Sequence, residues 1–388
     1  MTTCDWLPTP TDIDAERWQS VPCIRTVLAV VHTMVSSHRM LDVMECVETD
    51  TRIQTVWTVA PDAFRRGCAE HLQRLGALVV PWEQARRTRF DLAVAASAGG
   101  LPALRAPLLV MAHGAGRGKR VRPAGRGTPA TGERQVYGLD AGRLSHDGEV
   151  VASALALAHE TELEIVRRQC PAALAVTVVV GDPCLDRLMA STHLRERYRR
   201  AFGVTPGQRL LVVSSTWGRD GLFGSVPQLL PRLMQEVAGS PWRVGALLHP
   251  AVWTAHGHRQ VRAWLGECRE AGLLLADPAE DWRALLLAAD RLIGDHGSVT
   301  AYGAALGLPT VRPAPAPGGA ALDPARALLP QADAAPPTDP RAAAAALTSR
   351  PGAAHRLLRS TMYRLLDLDE PGRHRGPAPV PVPGTEPR

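Results

Sequence analysis

The feature that most constrains this chain is a recurrence. Short runs of aliphatic and β-branched residues alternate along most of its length with stretches of helical period. TVLAVV at 26–31 precedes a helical pattern through Met40, Leu41, Met44 and Val47; an apolar run at 55–59 precedes a helix over 64–75, and further runs follow at 77–80, 91–95 and 107–111. Strands that are apolar at consecutive positions are buried on both faces, as in a parallel sheet covered by helices on each side. The pattern continues with a predicted helix over 151–168 and a β-branched strand over 175–180. After the turn at Gly181, Asp182 and Pro183 a second series begins. It has predicted strands at 210–215, 244–248, 273–276 and 291–293, and helices at 229–237, 261–271, 282–289 and 299–306.

A chain of 388 residues can bury two cores, and two such series imply an α/β protein of two Rossmann-like doubly wound parallel-sheet domains facing a cleft. The boundaries read as 1–180 and 181–350, then a C-terminal helix over 351–367. Prolines at 377, 379, 381, 383 and 387 mark 368–388 as a disordered tail.

Composition narrows the class. No run of about 18 uncharged apolar residues occurs, and the first 20 residues carry Asp5, Asp12, Asp14 and Glu16 with no basic start and apolar core. The expectation is a cytoplasmic protein, at most peripheral at the inner face of a membrane. The seven cysteines show no CxxC pair or metal-ligand spacing, so reduced thiols, no structural zinc and no metal or other cofactor are expected. A net charge of +6 favours anionic partners. The arginines are scattered and few aromatics lie among them, which fits small anionic substrates or an acidic membrane surface and argues against nucleic acid.

In open parallel sheets ligands bind beyond the carboxyl ends of strands, and anions favour the amino ends of the helices that follow. Four strand-end loops carry candidate residues. The most informative is Gly294-Asp295-His296-Gly297-Ser298-Val299-Thr300, where helix N–H groups and the Ser298 and Thr300 hydroxyls suit a phosphate; alternatively Ser298 is an N-cap and Asp295 a turn former. The second is His113-Gly114-Ala115-Gly116-Arg117-Gly118-Lys119, with a histidine placed for general-base work and the chain's single lysine as a compact cation. It is not a P-loop, and a solvated basic loop is the competing reading. The others are Ser215-Thr216-Trp217 and His249-Pro250, each weak alone and strengthened by their shared place at strand ends.

Taken in order, His113-Gly114 with Lys119, Gly181-Asp182-Pro183 with Asp186-Arg187-Leu188, Ser215-Thr216-Trp217, His249-Pro250, and the stretch 289–298 before Gly307-Leu308-Pro309 resemble the landmarks of CDP-glycerol glycerophosphotransferases of teichoic acid synthesis. The resemblance covers roughly 107–312 and implies the GT-B fold, with the acceptor on the first domain and a nucleotide-diphosphate donor on the second. It makes His113 the candidate base and matches His249, Ser298 and neighbouring hydroxyls to the donor's phosphates. Together with the strand-end loops, this assigns Ser215, Thr216, His249, Asp295, His296, Gly297, Ser298 and Thr300 to the donor and Gly114 and Lys119 to an acceptor or phosphate. The expected reaction moves a glycerophosphate or glycosyl group to a hydroxyl-bearing acceptor, anionic or membrane-linked. More distantly the architecture is similar to nucleotide-sugar 2-epimerases, and an inactive binding scaffold is a third reading.

Overall fold

A computed structural model describes residues 7, 20–115, 120–121, 135–312, 320–372 and 374–384. By internal contacts the chain divides into two units, Met1–Asp186 with Thr348–Pro377, and Arg187–Leu347 with Ala378–Arg388.

Numbering only the strands of the two main sheets, the first unit holds β1 (Arg25–Val31), β2 (Ile53–Val59), β3 (Val79–Val80), β4 (Leu92–Ala95), β5 (Leu108–Met111), β6 (Ala154–Leu157) and β7 (Thr177–Val179), in the order β7-β6-β5-β4-β1-β2-β3. All pairings are parallel. The consecutive apolar residues of β1 serve opposite faces: Val27, Ala29 and Val31 join one core cluster, Leu28 and Val30 the other. Each fully buried side chain of this kind contributes about 1.5–3 kcal/mol.

The helix predicted over 151–168 is not continuous. Ala154–Leu157 is a strand buried at all four positions, and the helix begins only at Thr161. A short apolar run buried on both faces has no period of two to betray it.

The C-terminal helix Ala354–Leu366 packs Leu358, Met362, Tyr363 and Leu366 into the first unit's core. Both its ends are pinned. Asp186 accepts the Gly352 and Ala354 N–H groups at 2.7 and 2.8 Å, and the Tyr363 hydroxyl donates to Asp50 at 2.7 Å.

The second unit holds β8 (Arg209–Ser215), β9 (Trp242–Leu248), β10 (Leu274–Leu275), β11 (Arg291–Gly294), β12 (Thr310–Arg312) and β13 (Ala320–Ala321), in the order β10-β9-β8-β11-β12-β13, again all parallel. The segment expected to be a disordered tail departs from that expectation at Val380. That residue is 1% exposed, donates its N–H to Ser191 at 2.9 Å and accepts the Tyr198 hydroxyl at 2.7 Å. Composition speaks to what a segment can bury alone, not to one apolar side chain docking on an existing surface. Among the described residues no helix is long and apolar enough to cross a membrane.

Candidate functional site

Relabelled from its first strand, the second sheet has the order 3-2-1-4-5-6 of doubly wound nucleotide-binding folds, which reverses between β8 and β11. Chains leave the two strands in opposite directions there, opening a crevice at their carboxyl ends. Asp295, the first residue after β11, spans it. Its Oδ2 accepts the Thr216 N–H at 2.7 Å, the Thr216 hydroxyl at 2.8 Å and the Leu222 N–H at 3.0 Å, while Oδ1 accepts the Gly297 N–H at 3.0 Å. Asp295 is 5% exposed, and its four donors come from both loops.

Gly297 then caps the helix Ser298–Ala305 in extended conformation, without a side-chain cap. A Cβ at Gly297 would stand 2.6 Å from the Thr216 methyl, so glycine permits this close approach. The amino end of that helix, with the N–H groups of its first turn, therefore lies beside the bridged loops, and Ser298 is its first residue rather than its cap. His296 is exposed and Ser298 half-buried.

On the neighbouring strand, His249 continues the ladder by donating its N–H to the Ser215 carbonyl at 2.9 Å. It caps the helix Pro250–His256, its Nδ1 accepting the Ala251 N–H at 3.1 Å. A ring nitrogen that accepts leaves the neutral imidazole's proton on Nε2, which makes Nε2 a donor suited to an anion.

Two candidates belong to the scaffold instead. Ser215 is 3% exposed, and its hydroxyl donates to the Thr216 carbonyl and accepts the Phe223 N–H, both at 2.8 Å. Thr300 is 1% exposed, with its hydroxyl packed over Gly294, where a Cβ would stand 2.2 Å away. Sequence spacing put these hydroxyls in the right loops without saying which way they turn.

In the first unit the order is 3-2-1-4-5-6-7 on the same relabelling, with the reversal between β1 and β4. His113 follows β5, half-buried, and its Nδ1 lies 3.3 Å from the Ala96 carbonyl just beyond β4. A carbonyl only accepts, so Nδ1 carries the proton and Nε2 is the basic nitrogen, the opposite tautomer to His249. Gly114 adjoins it, half-buried; Lys119 lies outside the described residues.

No protein-family model matches the chain, and no curated protein matches it in sequence. Among solved structures it is similar to a variant of the wall teichoic acid polymerase TagF soaked with CDPG, at 13% identity over 91% of each chain and a TM-score of 0.58. It is also similar to the UDP-GlcNAc 2-epimerase of Methanocaldococcus jannaschii, at 12% identity over 87% of this chain and 99% of that one, TM-score 0.53. S. aureus MnaA in complex with UDP matches at 10% identity over 90% of this chain and 100% of that one, TM-score 0.54.

The fold is of the GT-B type.

At such identities the likeness shows the fold and not the reaction. Within this GT-B fold, two residues at strand ends escaped the sequence reading. His32, after β1, is 1% exposed and pairs Nε2 with the Gly99 carbonyl at 2.7 Å, while its buried Nδ1 has no hydrogen-bond partner. Burial holds its pKa below the ordinary histidine range, against the Gly99 bond and the charge of Asp62. Arg312 ends β12, beside β11. One signal was available for both, namely their position at the end of an apolar strand. It was drowned for Arg312 by the abundance of arginine.

Proposed function

We propose that this chain is a transferase that takes its donor as a nucleoside diphosphate conjugate on the second unit. The observation that carries the reading is the Asp295 bridge at the sheet's reversal, beside a helix amino end that has no side-chain cap and with the Nε2–H of His249 on the next strand-end loop. Phosphate oxygens suit both kinds of donor. Similar structures were obtained with CDPG and with UDP, which supports a nucleotide partner.

In the proposed step an acceptor hydroxyl loses its proton to His113 Nε2 as its oxygen attacks the donor. The bond from the transferred group to the departing nucleotide phosphate breaks, and the charge that develops there falls on the His249 Nε2–H, Ser298 and the helix amides. With a glycerophosphate the attack is at phosphorus and the monophosphate leaves; with a glycosyl group it is at carbon and the diphosphate leaves. The net charge of +6 favours an anionic or membrane-linked acceptor. The comparable TM-scores of 0.53 and 0.54 to the epimerase and MnaA keep a 2-epimerase as the second reading.

A thermal-shift screen against CDP, UDP, GDP and their glycerol and sugar conjugates tests this, with Ser298→Ala and His249→Asn alongside. Stabilisation by one nucleotide diphosphate, reduced in both variants, is expected. No shift with any of them at millimolar concentration overturns the reading, and conversion of a nucleotide sugar without an acceptor replaces it with the epimerase.

A further inference from the structure

β12 runs beside β11 with Leu292 opposite Thr310 and Ile293 opposite Val311, which sets Arg312 beside Gly294. Side chains alternate along a strand, so Leu292, Gly294, Thr310 and Arg312 share one face. That face is the one covered by the helix Ser298–Ala305: a Cβ at Gly303 would meet Leu292, and one at Gly294 would meet Thr300. Arg312 therefore leaves the sheet's carboxyl rim on the same side as the helix whose amino end carries the proposed donor site, one strand across from Asp295.

Two polar groups on this face lack a partner. The Thr300 hydroxyl, on a residue 1% exposed, and the Arg312 Nε are both buried without a hydrogen bond. Asp295 attracts the Arg312 charge through space, yet burial outweighs that attraction and lowers the arginine's pKa. The Asp295 oxygens are already engaged by four other donors. A guanidinium held partly out of water with no bonded anion is unfavourable, and a phosphate relieves it because the planar fork matches two oxygens.

We propose that Arg312 is the cation that pairs with the donor's phosphates at the amino end of the helix Ser298–Ala305. This rests on the donor reading above and deepens it: the site selects a diphosphate over a monophosphate.

Isothermal titration of the full chain with inorganic pyrophosphate, CDP, UDP and the corresponding monophosphates tests it, comparing the wild type with Arg312→Gln and Arg312→Lys. Arg312→Gln is expected to weaken pyrophosphate and diphosphate binding about 10- to 100-fold and monophosphate binding much less, with Arg312→Lys between. Wild-type affinity in Arg312→Gln overturns the proposal. Pyrophosphate binding that depends on Arg312, with no nucleotide preference over it, upholds the arginine and overturns the nucleotide reading instead. A wild type that binds neither pyrophosphate nor nucleotide overturns both. Should Arg312→Gln not fold, the arginine Nε–H resonance that Arg312→Lys removes gives a second measurement: it shifts when pyrophosphate is added to the wild type, and a resonance that stays in place overturns the proposal.

Discussion

Asp295 Oδ2 accepts both the backbone N–H and the hydroxyl of Thr216, at 2.7 and 2.8 Å, so a single carboxylate ties together the two loops that the sheet's reversal sends apart. Replacing it with Asn turns one acceptor into a donor among four donors. Asp295→Asn is expected to cost about 2–4 kcal/mol in urea unfolding of the second unit and to abolish nucleotide-dependent stabilisation. Unchanged unfolding would show that the bridge is not a structural requirement.

Gly294 and Thr300 make a tighter test of packing. A Cβ at Gly294 meets Thr300 Oγ1 at 2.2 Å, Cγ2 at 2.9 Å and Cβ at 3.0 Å. Gly294→Ala is therefore expected to destabilise by about 1–3 kcal/mol. Thr300→Ala removes a buried hydroxyl that has no partner and should cost less than about 1 kcal/mol. The double variant should recover part of the Gly294→Ala loss, because the nearest clash is gone. Simple additivity in the cycle would argue against the contact.

His249 combines a cap and a ligand role that can be separated. Ala loses the cap on the Ala251 N–H and should cost about 1 kcal/mol. Asn can replace the cap but has no group where Nε2–H stands. Stability in His249→Asn should stay within about 0.5 kcal/mol of wild type while nucleotide affinity drops; retained affinity in a stable His249→Asn protein would remove the residue from the donor site.

His32 sets a pH dependence. Its folded pKa is lowered, chiefly by burial. As the pH falls through about 6.5 the unfolded chain takes up a proton that the folded chain refuses. The unfolded state then binds more protons, so this residue's contribution is present above that pH and is lost as the solution is acidified. The stability of wild type minus His32→Gln should shrink between pH 7.5 and pH 5, and a constant difference would contradict the assignment.

The strands legible in the sequence include the β-branched apolar runs Arg25–Val31 and Arg209–Ser215 and also the shorter Leu92–Ala95 and Leu108–Met111. Ala154–Leu157 escaped because Ala and Leu are helix formers without β-branching, and no polar residue alternates with them to mark a strand. At the site, position was legible and orientation was not. The loops holding Thr216, His249 and Asp295 could be found because strand ends are where chemistry sits. That Asp295 spends its oxygens on the opposite loop depends on Thr216 and Leu222, 79 and 73 residues away, and no short window of sequence contains both sides of that contact. Ser215 and Thr300 turn inward onto near neighbours, Phe223 and Gly294, but a side chain's direction is set by the fold around it and not by its spacing.

The threading of the chain has a temporal meaning. The first unit needs Leu358, Met362 and Leu366 to complete its core and Asp186 to receive the N–H groups of Gly352 and Ala354. During synthesis the whole second sheet emerges from the ribosome between these partners. The N-terminal sheet must wait, with part of one face uncovered, until the segment from Thr348 to Leu366 has been made. A nascent chain stalled before residue 348 is then a client for chaperones, however well its second unit has folded.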